Sequence, residues 1–570
     1  MALTASGDRL LTANQTSGTV SLVDPQAGKV LDEAATGEKP AGVALSRDGS
    51  LGVVTHWYGY DVAILGLVGN RIKIRGRVEV GPEPRGVVLG PDQKTAFVAV
   101  GVSNEVVRVD LDSQRVTGRV TVGREPRGLA VSPDGTHLVA ANSRERSFSV
   151  IDIKEFTVIR TLPIEGDNLR QLSMDPQGEY VLVASMKNRG FATSRNNIDQ
   201  GWVLGQRIYR AKLDGSERFS ALSLDPRGKA GGDAHGLAIS PDGETLAVSL
   251  GGTHELMLFE MTSKPLPWRE GGSRDLIPPE LLREPGRFRR VVTGGRPTEI
   301  AFAPDGSSLY VANYLSDAVQ VVDVEKGEVT RSIELGRPEE ISLARRGEEL
   351  FHDATRSFNQ WYSCNTCHSD GHTNGLDFDT QNDGWQDLST SHLRSRKKIP
   401  TLRGVTKTGP WTWHGWQKEL DDAMVESFTK SMQGSRPSGE DVQAIVAYLE
   451  TLEYPRNPHR GRDGQLSEAA QRGEAIYRSA KAACNTCHGG PELTDGGIHE
   501  VGLGDPRDVY KGHNPPTLKG LYDKDPFLHD GRAKTLRDTL AGDHAPELVV
   551  GGEPLSDQEL SDLIEYLKTL

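Results

Sequence analysis

Two nearly identical octapeptides carry the chemistry of this 570-residue chain: Ser-Cys-Asn-Thr-Cys-His-Ser-Asp at 363–370 and Ala-Cys-Asn-Thr-Cys-His-Gly-Gly at 483–490. All four cysteines of the chain lie in them, so no disulfide framework is being built. Two thiols one turn apart can add to the two vinyl groups of a haem, and the adjacent His then reaches the iron from one face. Structural zinc pairs lie much closer together in sequence, and a redox dithiol has no need of a His after both pairs. The spacing predicts two covalent c-type haems. Cys364, Cys367 and His368 would serve the first, and Cys484, Cys487 and His488 the second, each His as the proximal iron ligand.

The elements that must hold these peptides come in two copies. "RRGEELF" (345–351) and "QRGEAIY" (471–477) lead into them with apolar residues at helical spacing. Loops follow, then "IPTLRGVTKTGPWTWHG" (399–415) or "PPTLKGLYDKDPFLHDG" (515–531). Each copy closes on an amphipathic helix, at 441–452 and 559–570. We read two all-α cytochrome c domains, 346–459 and 460–570, joined by "PRNPHRGRDG" (455–464) and arisen by duplication.

Residues 1–345 have a different texture. A unit typified by "GREPRGLAVSPDGTHLVAANS" (123–143) recurs from residue 37 to 314, with a period of about 42 residues where nothing is inserted, the size of a propeller blade. Short apolar runs suit an inner strand, Pro-Asp-Gly a tight turn, and the alternating run after it a second strand. The chain starts on a second-strand pattern, "SGDRLLTAN", and the last first-strand pattern is "GRPEEISLA" (336–344). The late strand is therefore expected to complete the N-terminal blade and close a ring of seven, which removes exposed sheet edges. Long insertions at 188–210 and 262–290 are binding or interdomain loops, or simple surface loops. This region resembles the YVTN/WD40-like propellers of bacteria, which speaks to fold and not to activity. The fold class is thus multidomain: an all-β seven-bladed propeller, then two all-α cytochrome domains.

A net charge of −13, with 25% charged and 36% apolar residues, argues against a nucleic-acid partner. No apolar run reaches the length of a membrane span. Haem of this type is attached outside the bacterial cytoplasm, so a periplasmic protein is expected, its signal peptide removed ahead of Ala2.

The segment 346–570 resembles the bacterial di-haem cytochrome c peroxidases and the related di-haem enzyme of methylamine utilisation. The two haem peptides, the paired "PTLRG…WHG" and "PTLKG…HDG" segments and "HDGRAKTL" (529–536) carry the resemblance. It implies one haem that meets peroxide, one that relays electrons, and a Trp between them, here Trp413. It places the distal ligand of the second haem shortly after "HDG". No Met occurs after Met432, and His544 is the expected ligand, with His513 and His499 as alternatives. For the first haem it places a catalytic Glu where this chain has Gln433, which cannot take a proton from peroxide. Met432 beside it is a candidate iron ligand, and His392 matches a displaceable His loosely. The family's calcium site between the modules is also altered, with Lys398 and Lys524 where oxygen ligands are expected.

The reading is a periplasmic di-haem oxidoreductase, peroxidase-like but with low peroxidase turnover. It would pass electrons between a donor or protein substrate and hydrogen peroxide or a similar oxidant. Expected partners are a small cytochrome or copper protein, or a protein substrate. The rival reading is a non-enzymatic electron carrier with both haems six-coordinate and the propeller as a docking module. A third, a propeller-bearing nitrite reductase, lacks a ligand pattern for a haem inside the propeller.

Overall fold

Why the repeats make blades is visible in one of them. The inner strand Pro126–Val131 pairs antiparallel with His137–Asn142, which pairs with Ser147–Asp152 and then Thr157–Pro163. The second strand is buried along nearly its whole length, while the outermost alternates exposed and covered residues, as a sheet sandwiched between neighbours and open at its rim requires. In the turn, the Asp134 carboxylate accepts from the Thr136 N–H (3.0 Å) and the Ser132 hydroxyl (2.5 Å). Gly135 takes φ 72°, and a Cβ there would lie 2.8 Å from Pro91 in the preceding blade's turn. Only Gly allows that approach.

The computed structural model describes residues 1–272, 274–380, 396–504 and 510–570. It contains six four-stranded sheets and one five-stranded sheet of this kind, seven blades in all. The fifth strand, Arg269–Glu270, comes from the 262–290 insertion and pairs with Ser220–Ser223. Leu266, Ile277 and Leu281 of the same insertion are buried in the core between blades, so this insertion is structural.

Ring closure differs from expectation. The first blade takes its inner strand from its own N-terminus, Ala2–Leu3 on Leu10–Leu11, and 336–342 forms no strand and is exposed. The place foreseen for the late strand is already filled. The Met1 ammonium is bound by Glu299 of the last blade. Met1 and Leu3 pack on a cluster of Leu10, Val23, Tyr310, Val319 and Ile333 that spans the first and last blades. A Cβ on Gly7 would lie 2.8 Å from Pro304, the same turn-on-turn contact made within the ring. Side chains, not a shared sheet, close the propeller.

Contacts divide the chain into two units. The first holds 1–188, 204–339 and 353–355; the second holds 189–203, 340–352 and 356–570. The middle of the 188–210 insertion thus belongs with the cytochrome half. There Ser194 caps the short helix Arg195–Asp199, Thr193 N–H donates to Asp379 (2.9 Å), and Asn359 donates to Asp199 (3.1 Å).

The second unit is built on two matching helix pairs. Leu343–Phe351 crosses Gly439–Glu450, and Glu468–Arg478 crosses Asp557–Lys568. Serines 342, 438, 467 and 556 cap all four, accepting from the N–H three residues on. At each crossing stands the Gly of the "RGE" motif. A Cβ on Gly347 would lie 1.9 Å from the Ala444 carbonyl, and one on Gly473 2.0 Å from that of Asp562. Arg346 pairs with Asp441 (3.3 Å) and Arg472 with Asp562 (2.7 Å). Duplication is written in these contacts as well as in the motifs.

Candidate functional site

Each Cys-x-x-Cys-His peptide follows the first helix of its pair. Cys364–Cys367 form one helical turn behind Ser363, and the His368 N–H closes on the Cys364 carbonyl (2.9 Å). The second repeats this, with His488 N–H on the Cys484 carbonyl (2.9 Å). None of the four cysteines is joined in a disulfide, and all are partly exposed. The His368 Nδ1–H donates to the Pro400 carbonyl (3.0 Å), which fixes the tautomer and leaves Nε2 as the lone-pair nitrogen. Burial holds both histidines neutral, with pKa values drawn down to about 4; for His488 the neighbouring His544 adds to the effect. Neutral imidazole is the metal-ligating form.

Around the second peptide lies a cavity of about 290 Å³, walled by Cys484, Cys487, His488, His544, Trp413 and apolar side chains such as Leu540. His544 stands opposite His488, with ring centres 6.5 Å apart and planes at 89°. Metal–nitrogen bonds of about 2 Å plus roughly 1.2 Å from nitrogen to ring centre would set two trans imidazoles about 6.4 Å apart. The residues present therefore fit a c-type haem: both thiols, His488 and His544 line one largely apolar cavity.

The other candidates fall as follows. His499 and His513 line the same cavity, where their backbones pair with each other. His499 is bound to Asp495 (2.8 Å), and His513 is stacked between His414 (4.7 Å) and His529 (4.6 Å). Trp413 is on the cavity wall, donates Nε1–H to the Lys398 carbonyl (2.8 Å) and meets His529 edge-on (6.4 Å). After the helix Leu420–Glu426 comes a π-turn, Ser427–Ser431, a feature frequent at functional sites. It delivers Met432, which is buried, and Gln433, at φ 52°. The Gln433 amide turns back onto the Lys430 carbonyl (2.8 Å). His392 lies outside the described residues.

Two features escaped the sequence. One is the His414–His513–His529 row of rings, whose outer members come from "WHG" and "HDG" but from neighbouring rather than equivalent positions, since His529 matches Trp413. The other is the bonding of Lys398 and Lys524, whose side chains are buried. No described helix is long and apolar enough to cross a membrane.

Comparison with known proteins agrees with this anatomy. Family models match for a lactonase-type seven-bladed β-propeller over 117–331, di-haem cytochrome c peroxidase over 341–459 and cytochrome c over 470–570. Hydrazine synthase subunit gamma of Kuenenia stuttgartiensis is 30% identical over 278 residues, covering 41% of this chain and 79% of that protein. Subunit beta of the same synthase is 28% identical over 192 residues, covering 32% of this chain and only 49% of its own length. The methylamine utilization protein MauG of Methylorubrum extorquens is 25% identical over 293 residues, covering 41% and 78%. A solved structure of Kuenenia stuttgartiensis hydrazine synthase matches with a TM-score of 0.50 at 25% identity, over 56% of this chain and 94% of that one. The chain belongs to the di-haem cytochrome c peroxidase family, as a redox protein with covalent c-type haems and a seven-bladed propeller on the same polypeptide.

Proposed function

We propose that the protein is a periplasmic oxidoreductase in which the second haem relays electrons and the first meets a small oxidant such as hydrogen peroxide. The observation that carries this is the placement of His544 opposite His488. With haem bound, His488 and His544 would both be available as iron ligands, which would suit electron passage and leave ligand chemistry to the other site. Bound haem supplies reversible one-electron chemistry and, on an open face, a place for a small ligand. The chain's part is positional. Cys364, Cys367 and His368 would hold the first haem; Cys484, Cys487, His488 and His544 the second. Trp413, its indole fixed by the Lys398 carbonyl, would be the conducting side chain at the second cavity. Gln433 can hydrogen-bond but cannot take up a proton, so peroxide turnover is expected to be low. Gln433→Glu should raise it toward the 10²–10⁴-fold contribution typical of a general base, an order-of-magnitude figure. The electron donor would be a small cytochrome or copper protein.

A second reading has its own support. The chain matches both the gamma and the beta subunits of one hydrazine synthase, so the small ligand could be a nitrogen compound. The test is to titrate the oxidised holoprotein with peroxide and, separately, with hydrazine, following both haem spectra. A response of the first haem to peroxide supports the oxidant reading, and a response to hydrazine alone supports the nitrogen reading. If neither ligand changes either spectrum, before or after partial reduction, the electron-carrier reading takes their place.

A further inference from the structure

Lysine is among the residues least often fully buried, yet Lys398 and Lys524 are 6% and 7% exposed where the two cytochrome modules meet. Lys398 makes three contacts that converge on the second cavity. Its backbone N–H donates to the His529 carbonyl (2.7 Å). Its carbonyl accepts from Trp413 Nε1–H (2.8 Å). Its ammonium donates to the Lys524 carbonyl, 126 residues away. Lys524 in turn donates to the Thr517 carbonyl (2.7 Å) and lies over the Tyr454 ring (5.5 Å). Burial, and then the charges of Lys398 and Arg403, push the Lys524 ammonium well below the usual lysine range.

Backbone carbonyls gathered in this way are the hard oxygen ligands a calcium ion uses. Family resemblance implies calcium between the modules, and the residues present do not fit it. Lysine side-chain donors already occupy the Lys524 and Thr517 carbonyls, and the Lys398 charge would repel a divalent ion beside them. We propose that the Lys398 ammonium is a built-in substitute for a bound divalent cation, and that Lys398 is thereby the positioning residue for Trp413 at the second haem. An ammonium bonded to a carbonyl is a charge-assisted contact of the stronger kind. It is covalently part of the chain and cannot be lost to a chelator. The proposal uses the two-haem reading only for its readout and is independent of the substrate.

The test uses the holoprotein with both haems, counted by pyridine haemochrome so that loss of haem is told apart from loss of positioning. Treating the wild type with EGTA, and then adding calcium, should leave the electron paramagnetic resonance spectrum and both midpoint potentials unchanged. Lys398→Met keeps the stem and removes the charge and its donors. With two haems retained, it should shift the g-values of the second haem and change the separation of the two potentials. Lys398→Arg, which keeps a cationic donor, should restore the wild-type pattern at least in part. A wild-type spectrum that EGTA alters and calcium restores overturns the proposal, and this arm needs no variant to fold. So does a two-haem Lys398→Met protein whose spectrum and potentials match the wild type.

Discussion

The two haem modules share a frame and differ in what faces the haem peptide. In both, capped helices cross at a Gly of the "RGE" motif that touches a partner carbonyl. In both, an Arg beside that Gly pairs with an Asp on the closing helix. In both, a tyrosine of that helix packs on an aromatic ring, Tyr448 on Phe351 (5.1 Å) and Tyr566 on Tyr477 (5.2 Å). Around the second peptide the chain adds His544, a cavity and Trp413. In the first module a π-turn, Ser427–Ser431, is followed by Met432 and Gln433. The two modules thus keep the frame that holds the peptide and differ in the residues they offer as iron ligands. The former is constrained by backbone contact at under 2.5 Å from a hypothetical Cβ, whereas a distal residue can change without disturbing the helix crossing.

The comparison breaks most completely at the thiols. Cys484→Ala with Cys487→Ala should remove one covalent haem and leave the other, read as half the haem content and a mass loss of roughly 616 Da per haem. Loss of both, or of neither, would show that the modules are not independent attachment sites.

The shared frame should fail equally in both modules. Gly347→Ala and Gly473→Ala each force a Cβ into a carbonyl, and overpacking of this kind costs about 1–3 kcal/mol, occasionally more. Thermal melting followed at the haem bands should show comparable losses for the two variants. A large loss for one alone would mean that the frames differ after all.

A smaller and asymmetric effect is expected at the iron. His544→Ala should turn the second haem from low to high spin and let cyanide bind it far more readily, with the first haem unchanged. Met432→Ala should leave the second haem as it is. The smallest effect is on acid stability. Arg472 hydrogen-bonds Asp562 and lowers its pKa, while for Asp441 burial is the largest influence and raises it, but the Arg356 contact and the bonds from Ser438 together bring it below the ordinary value. Because the folded carboxyls sit below the ordinary 3.8, their stabilisation is full above that pH and is lost as pH falls through the lowered values. Arg472→Gln should flatten the decline of the second module's melting temperature below about pH 4, and leave that of the first unchanged.

Much of this was legible because the signals are local. Pro-Asp-Gly turns, period-2 runs and Cys-x-x-Cys-His are read within a dozen residues, and they indicated blades and haem peptides. His544 was singled out because no Met follows Met432, and its ring lies 6.5 Å from that of His488. Ring closure was not. Ala2–Leu3 is two residues long, too short to show alternation, and its hold on the last blade rests on side chains distant in sequence, Leu3 packing with Tyr310, Val319 and Ile333. The grouping of 189–203 with the cytochrome half and the Lys398–Lys524 contact join distant residues by a few hydrogen bonds. Nothing in a local pattern marks such bonds.

The central claim, one haem closed by two histidines and the other free to react, is tested most directly by low-temperature electron paramagnetic resonance of the fully oxidised holoprotein. The account predicts two signals of equal weight, one low-spin with the g-spread of paired histidines and one high-spin. Two low-spin signals would contradict it, and so would a high-spin signal that His544→Ala leaves unaltered in intensity.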